Sequence, residues 1–505
     1  MAATQVLITG AGPTGLVLAL FLARQGIVPR ILERSSGPGE ASRAMAVQAR
    51  TLEFYDQLGL AEQVVAEGVR AETLHLREGG EEVARLAFAD LGGGALSPFP
   101  FMLCYPQDDH ERFLVARLRE AGVEVEWDTE LLGFTQHADG VRATLRRRGA
   151  EESAEAAYLC GCDGAHSRVR EGLGLGFPGG TYEQLFYVAD IRIEGGFTRD
   201  LFVNLDTDLL ALLLPVRSSG MQRLIGLVPR EVAGRPDIGF EAVRPVAERL
   251  VGIRVAEVNW FSTYRVHHRV AARFREGRCF LAGDAGHIHS PAGGQGMNTG
   301  IGDAVNLAWK LAQVLRGRAA PALLESYEPE RIGFARSLVE STDRAFRSIT
   351  GSGPGSQILR RFLMPHLLPF LWGFSAARRV MFRTISQVRI AYHDSPLSEG
   401  AAGEVQGGDR LPWVAEVDNF APLRSLDWQL HVHGEAAPAL TGAARELGVA
   451  LHAFPWTGAA AAAGLARDAA MLVRPDGHVA LAMARQDPAA LRSYAERHGL
   501  HFGMA

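Results

Sequence analysis

Two glycine-rich segments hold the residues best suited to chemistry. In the first, Gly10, Gly12 and Gly15 are spaced G-x-G-x-x-G, with Pro13 and Thr14 between the second and third. Such a loop binds a diphosphate when it joins a strand to a helix. Gly10 permits the tight turn, Gly12 lets phosphates approach the backbone, and Gly15 lets the helix pack close to the strand. The helix start then offers free amides and a partial positive charge. The flanks fit this reading. Residues 5–9 predict a buried strand, 16–24 a helix, and 29–33 a second strand ending in Glu33, at the spacing where an acid takes a ribose hydroxyl. This βαβ unit predicts a dinucleotide site, and by itself leaves FAD and NAD open.

The second segment runs from Gly283-Asp284 through Pro291, Gly294, Gly296, Met297 and Asn298 to Asp303. A buried strand is expected over 278–282 and a long helix over about 297–315. A carboxylate at a strand end, Asp284, can bind a sugar-alcohol hydroxyl. The glycines bring backbone close to a flat ligand, and the positive end of a helix suits the anionic edge of a reduced isoalloxazine. Two sites so far apart in the chain, serving one extended ligand, suit FAD better than a freely exchanging nicotinamide.

The elements that must position these loops suggest about three domains in 505 residues. Hydrophobic residues at 47% and charged residues at 22% are ordinary for a globular protein. A net charge of −5 argues against a dedicated nucleic-acid binder. Cys104, Cys160, Cys162 and Cys279 make no disulfide scaffold, and no Cys/His group has zinc spacing. With no signal peptide and no apolar run long enough for a membrane span, a cytoplasmic protein is expected. Strands over 186–193, 209–216 and 223–228 predict a separate antiparallel sheet. A charged helix is expected over 325–347, a linker over 351–356, an apolar, arginine-rich helix over 360–391 and a second hinge over 399–408. The order βαβ then ββα after residue 428 suggests thioredoxin-like topology, without the cysteines of dithiol chemistry.

Three motifs together are specific: Gly10 to Gly15 with Glu33; Cys162-Asp163-Gly164-Ala-His-Ser167-Arg-Val-Arg170; and Gly283-Asp284 with Pro291 and Gly296-Met297-Asn298. On these the chain resembles the FAD-dependent aromatic monooxygenases of the para-hydroxybenzoate hydroxylase type over about residues 4–395. With its cysteine-free tail it looks like the subgroup acting on phenols and polycyclic aromatic polyketides. The resemblance implies an α/β fold in four stretches: a Rossmann-like FAD-binding domain (1–180 and 271–398), an inserted mixed or antiparallel substrate sheet (181–270), and a thioredoxin-like domain (399–505). It implies that Glu33 and Arg34 hold the adenosine ribose, and that Gly12, Pro13, Thr14 and Gly15 line the pyrophosphate, with Arg43 near it. Gln107 and Asp284 would contact the ribityl chain, and Asp163 both FAD and NAD(P)H. Pro291, Gly294, Gly296, Met297 and Asn298 would meet the flavin ring. One departure is Gly286, where the family often has alanine.

The implied activity is hydroxylation of a small aromatic substrate by dioxygen. NADPH or NADH reduces the flavin, and a C4a-hydroperoxide transfers oxygen to an electron-rich ring carbon. The cofactor carries this chemistry, so no catalytic side chain is assigned. His267, His268 and His287 are candidates for deprotonating a phenol, each with a structural role as the simpler reading. Tyr187, Asp190, Phe202, Leu214 and Trp260 are candidates for lining a substrate pocket. The alternatives are an antibiotic-inactivating flavin monooxygenase, a flavin halogenase, or a non-catalytic aromatic-binding flavoprotein. Lys310, the only lysine in the chain, has no evident halogenase role. A monomer or homodimer is expected, and the tail domain is expected to be structural or dimerising.

Overall fold

Val6, Leu7 and Ile8 have no solvent exposure. Such a continuous apolar run is what a strand covered on both faces requires. In the computed structural model this strand, Thr4–Thr9, lies at the centre of a sheet. It pairs in parallel with Arg30–Leu32 on one side and Ala150–Gly161 on the other. Val125–Glu126 and Cys279–Leu281 extend the sheet outwards, also in parallel. The helix Pro13–Arg24 is buried along its first ten positions apart from Thr14. It is covered on its far side by the helix Gly296–Leu315, which is also apolar on most faces. The structure describes residues 4–39, 44–206, 209–216, 220–235, 237–290, 294–350 and 371–503. Arg43, Pro291 and the expected linker at 351–356 lie outside the described residues.

The second sheet has eight strands, in the order His287–Ile288, Val255–Val270, Gly179–Ile193, Met221–Leu227, Leu210–Val216, Leu201–Leu205, Thr73–Glu78, Glu81–Ala87. The hairpin Thr73–Ala87 and the short strand at His287 come from stretches assigned above to the FAD-binding domain, so the sheet is discontinuous in sequence. The parallel pairing of Leu201–Leu205 with Thr73–Glu78 joins residues more than a hundred positions apart, and local periodicity carries no signal for such a contact.

Alternation gives this sheet two faces. Tyr187, Ala189, Ala211, Leu213 and Leu224 pack beneath the helix Arg244–Val251. Leu201, Leu214 and Val216 point the other way, against Met45, Val69 and Cys104 of the first domain and Phe382 and Val388 of the segment that follows it.

The last unit has a six-stranded sheet, in the order Val405–Gln406, Glu399–Ala402, Val479–Met483, Ala470–Val473, Gln429–His433, Ala450–Phe454. The expected hinge at 399–408 is therefore a tight edge hairpin. Its glycine content serves the turn, where Gly403 has φ +67°, rather than a flexible link. The described part of the expected 360–391 helix ends at Ile385. The unit is fastened to the first domain by buried charges, Arg474 to Glu330 and Arg410 to Glu53. Among the described residues no helix is long and apolar enough to cross a membrane.

Candidate functional site

The nucleotide end is shaped by close approach. At Gly10, φ is +96°, and a Cβ there would lie 2.3 Å from the Cys162 carbonyl oxygen. At Gly15 a Cβ would lie 2.0 Å from the Gly10 oxygen. Strand end, loop and helix are thus pressed together at these two positions. Gly12 is the opposite case. A Cβ there would meet no atom within 4 Å, so the loop has an open side at the start of a helix that has no side-chain cap and whose first amides are uncommitted within the helix. That is a cradle of the right kind for a diphosphate.

Glu33 closes the cradle. Its Oε2 accepts the Ala11 N–H at 2.9 Å, and its Oε1 accepts the Ser35 N–H and hydroxyl. Arg34 beside it is exposed. Asp163, just past the end of the strand Ala150–Gly161, backs onto Gly10. Its Oδ2 accepts the N–H groups of Arg168 and Val169, while its buried Oδ1 has no protein partner. Burial raises its carboxyl pKa. Gln107 opens the helix Gln107–Glu120 and donates to Glu111 at 2.8 Å.

The second glycine loop meets the first at Thr14. A Cβ on Gly283 would lie 2.6 Å, and one on Gly300 2.4 Å, from the Thr14 hydroxyl. Thr14 therefore sits wedged between the second glycine loop and the long helix, which only glycine at both positions allows. Asp284, next to Gly283, is exposed.

Behind this loop lies a buried knot. Asp303 Oδ2 accepts the Gly283 N–H at 3.0 Å and meets His287 Nε2 at 2.7 Å, and Arg331 donates to Oδ1 at 2.6 Å. Burial alone would raise the Asp303 carboxyl, but Arg331 and His287 outweigh it and hold the group below its ordinary range. Arg331 also donates to Tyr392 and to the Thr299 carbonyl. From the other side Arg170 donates to the Ala285 and Ala165 carbonyls, tying the 162–170 motif to the second glycine loop.

Asn298 makes four side-chain bonds within the chain. It accepts from the Gln48 N–H and the Thr51 hydroxyl and donates to the Ala46 and Gly294 carbonyls. Gly294, Gly296 and Met297 are half-buried beside it.

Of the histidine candidates, His287 is committed to Asp303, His267 meets the Thr181 hydroxyl at 2.7 Å, and the His268 ring packs on Tyr182. His289 was not singled out as a base. Its Nδ1–H donates to the Ser290 carbonyl, its Nε2 is buried without a protein partner, and burial lowers its pKa to about 4.

The pocket candidates divide between the two faces of the second sheet. Tyr187 and Phe202 pack on the face beneath the helix Arg244–Val251. Asp190, Leu214 and Trp260 lie on the other face: Leu214 clusters with Met45, and Asp190 pairs across the sheet with Trp260 and Arg223. Arg223 holds Asp190 through two bonds of 2.8 Å.

A family model described as the FAD binding domain matches residues 3–342. The chain belongs to that family. This FAD-binding protein is 38% identical over 449 residues to the 6-methylpretetramide 4-monooxygenase of Streptomyces rimosus, covering 84% of the chain and 76% of the relative. Its fold superposes on the anhydrotetracycline hydroxylase OxyS of Streptomyces rimosus with a TM-score of 0.78 at 30% identity, covering 99% of each chain. The aklavinone-11 hydroxylase solved with FAD and aklavinone gives a TM-score of 0.79 at 27% identity, covering 98% of this chain and 99% of that one. The protein is a flavin-dependent aromatic hydroxylase that uses FAD, NAD(P)H and dioxygen. Sequence reasoning named Asp303 only as the end of the second glycine segment and did not name Arg331, whose bond to it anchors the loop at Gly283. The only available signal was a carboxylate and an arginine on two long helices, and neither spacing nor type distinguishes them from surface charges.

Proposed function

We propose that this FAD-dependent monooxygenase hydroxylates a fused-ring phenolic substrate of the polyketide type. The observation that carries the reading is the inner face of the second sheet. It is a broad apolar wall of Leu201, Leu212, Leu214 and Ile225, with one ion pair, Arg223–Asp190, set into it. An apolar face of this kind suits fused aromatic rings, and the pair supplies a local polar contact for a phenol or ketone oxygen. The tetracyclic substrates named for the three relatives described above support the same class.

In this reading the adenosine and diphosphate lie along Gly10, Gly12, Pro13, Thr14 and Gly15, with Glu33, Arg34 and Arg43 around them. Gln107, Asp163 and Asp284 serve the middle of the cofactor, and Pro291, Gly294, Gly296, Met297 and Asn298 its ring. Because the amide of Asn298 is fully used within the chain, its part is to hold the loop so that backbone groups face the ring. Bound FAD supplies the oxygen-activating chemistry. The chain orients the substrate against the ring loop and keeps water away from it. The last unit reads as thioredoxin-like: its central strands run Ala450–Phe454, Gln429–His433, Ala470–Val473, Val479–Met483, with the first pair parallel and the others antiparallel. It serves as structural support.

The test is NADPH and NADH oxidation by the purified yellow protein, with single-ring phenols and with tetracyclic polyketide phenols, under isotopically labelled dioxygen. The expected result is stimulation and label incorporation with the tetracyclic compounds. Stimulation by single-ring phenols alone, or no labelled product with any aromatic, rejects the proposal.

A further inference from the structure

Gln387 stands out in a part of the chain that no motif covers. It is buried, 4% exposed, and its φ of +60° places it in the left-handed region that L-residues other than glycine and asparagine rarely adopt. Strain of this kind persists only where surrounding contacts over-determine it, and it concentrates at functional sites.

The contacts are specific. The Gln387 amide donates to Gln295 Oε1 at 2.5 Å and to the Thr299 hydroxyl at 3.0 Å. Gln295 in turn donates to the Ile385 carbonyl at 2.9 Å. Gln295 is the residue just before the helix Gly296–Leu315, in the middle of the ring loop. The two glutamines thus bind each other's segments reciprocally. The adjacent Ser386 carbonyl accepts the Arg50 N–H at 3.1 Å, at the start of the helix Ala49–Gln57. On either side, Phe382 and Val388 pack into the apolar cluster that includes Leu201 and Leu214 of the second sheet. Residues 382–388 therefore touch the wall assigned to the substrate through their apolar side chains and the ring loop through Gln387.

We infer that Gln387 is a positioning residue for the flavin ring: it fixes the Gly294–Asn298 loop through Gln295 and Thr299, and links that loop to the substrate wall through Phe382 and Val388. This rests on the proposed placement of the ring against Gly294–Asn298. A ligand that presses on Phe382 and Val388 also loads a side chain that holds the ring loop beside Asn298, so substrate binding and ring position are mechanically joined.

The test compares three variants of the holoenzyme. Gln387→Met keeps the length and removes the amide. Gln387→Gly removes the amide and relieves the backbone, which guards against a variant that fails only by misfolding. Gln387→Asn keeps an amide in a residue that tolerates the left-handed region. The expected result is FAD dissociation about tenfold easier in Gln387→Met and Gln387→Gly, the change that the loss of one or two ordinary net hydrogen bonds carries. The visible circular dichroism of the bound flavin should alter, a larger share of consumed NAD(P)H should end as hydrogen peroxide, and Gln387→Asn should restore part of each. Unchanged flavin spectra and peroxide yield in Gln387→Gly, with only a lowered melting temperature, would show Gln387 to be structural and overturn the inference. A wild-type enzyme that holds FAD but hydroxylates no aromatic defeats the substrate assignment instead, and the FAD and dichroism readouts still decide the role of Gln387.

Discussion

Arg474 of the last unit and Glu330 of the helix Tyr327–Thr350 form a two-pronged ion pair, with bonds of 2.8 and 2.9 Å and neither side chain exposed. The next residue on the same helix, Arg331, reaches the other way to Asp303, which holds the Gly283 N–H. Two consecutive positions of one helix thus connect the last unit to the second glycine loop, with Tyr392 between them, bonded to Arg331 and packed against the His478 ring.

Breaking this pair should be costly because it leaves the buried Lys310 without its carboxylate and Arg474 with Asp476 alone. Glu330→Gln is expected to lower stability by about 3–5 kcal/mol, read as a fall in denaturant midpoint. The effect is compounded because Lys310, Ser395 and Asn306 also use this carboxylate. A loss below about 1 kcal/mol would show that the cluster relaxes around the change.

Asp303 is expected to act on the cofactor rather than mainly on the fold. Asp303→Asn keeps the shape but weakens the acceptors for the Gly283 N–H, His287 and Arg331. Hydrogen bonds to a charged group are worth about 1.5–3 kcal/mol, so FAD affinity should fall roughly 10- to 100-fold. Fluorescence of released flavin checks this, and retention of wild-type affinity refutes it.

Gly15→Ala should yield colourless protein. The added methyl would sit 2.0 Å from the Gly10 oxygen, so either the helix moves off the strand or the diphosphate loop deforms. Gly12→Ala meets no protein atom and should fold normally while losing FAD, because the methyl enters the ligand's space. Equal FAD content in both variants and the wild type would disprove the cradle.

His478 makes stability pH-dependent. Burial lowers its pKa to about 4, against the opposing pull of Asp476. Since the unfolded chain binds the proton more readily, the contribution is present above about pH 6.5 and is lost as pH falls through about 4. Between about pH 7 and about pH 5 this one group should remove about 2 kcal/mol. Urea unfolding at the two pH values measures it, and His478→Phe should flatten the slope. An equal slope in that variant would assign the effect to other groups.

What could be read from the sequence was whatever is carried by consecutive residues. Gly10 to Glu33 is a complete βαβ unit because three local signals coincide: an apolar run, a glycine spacing and an acid at the next strand end. The same holds for Gly283-Asp284 before a long helix, and for the alternating strands of the last unit. The chemistry of FAD then followed from two loops that one ligand must span. Tertiary structure alone decided which loops touch, and through which atoms. Thr14 became the meeting point because two glycines far down the chain make room for it. Asp303 and Arg331 became one knot because two helices cross. Tyr187 and Leu214, similar as candidates, parted because side chains alternate along a strand and one residue of register decides the face. Gln387 carried no signal at all, since a left-handed backbone in a glutamine is imposed by its neighbours in space and not by its neighbours in sequence.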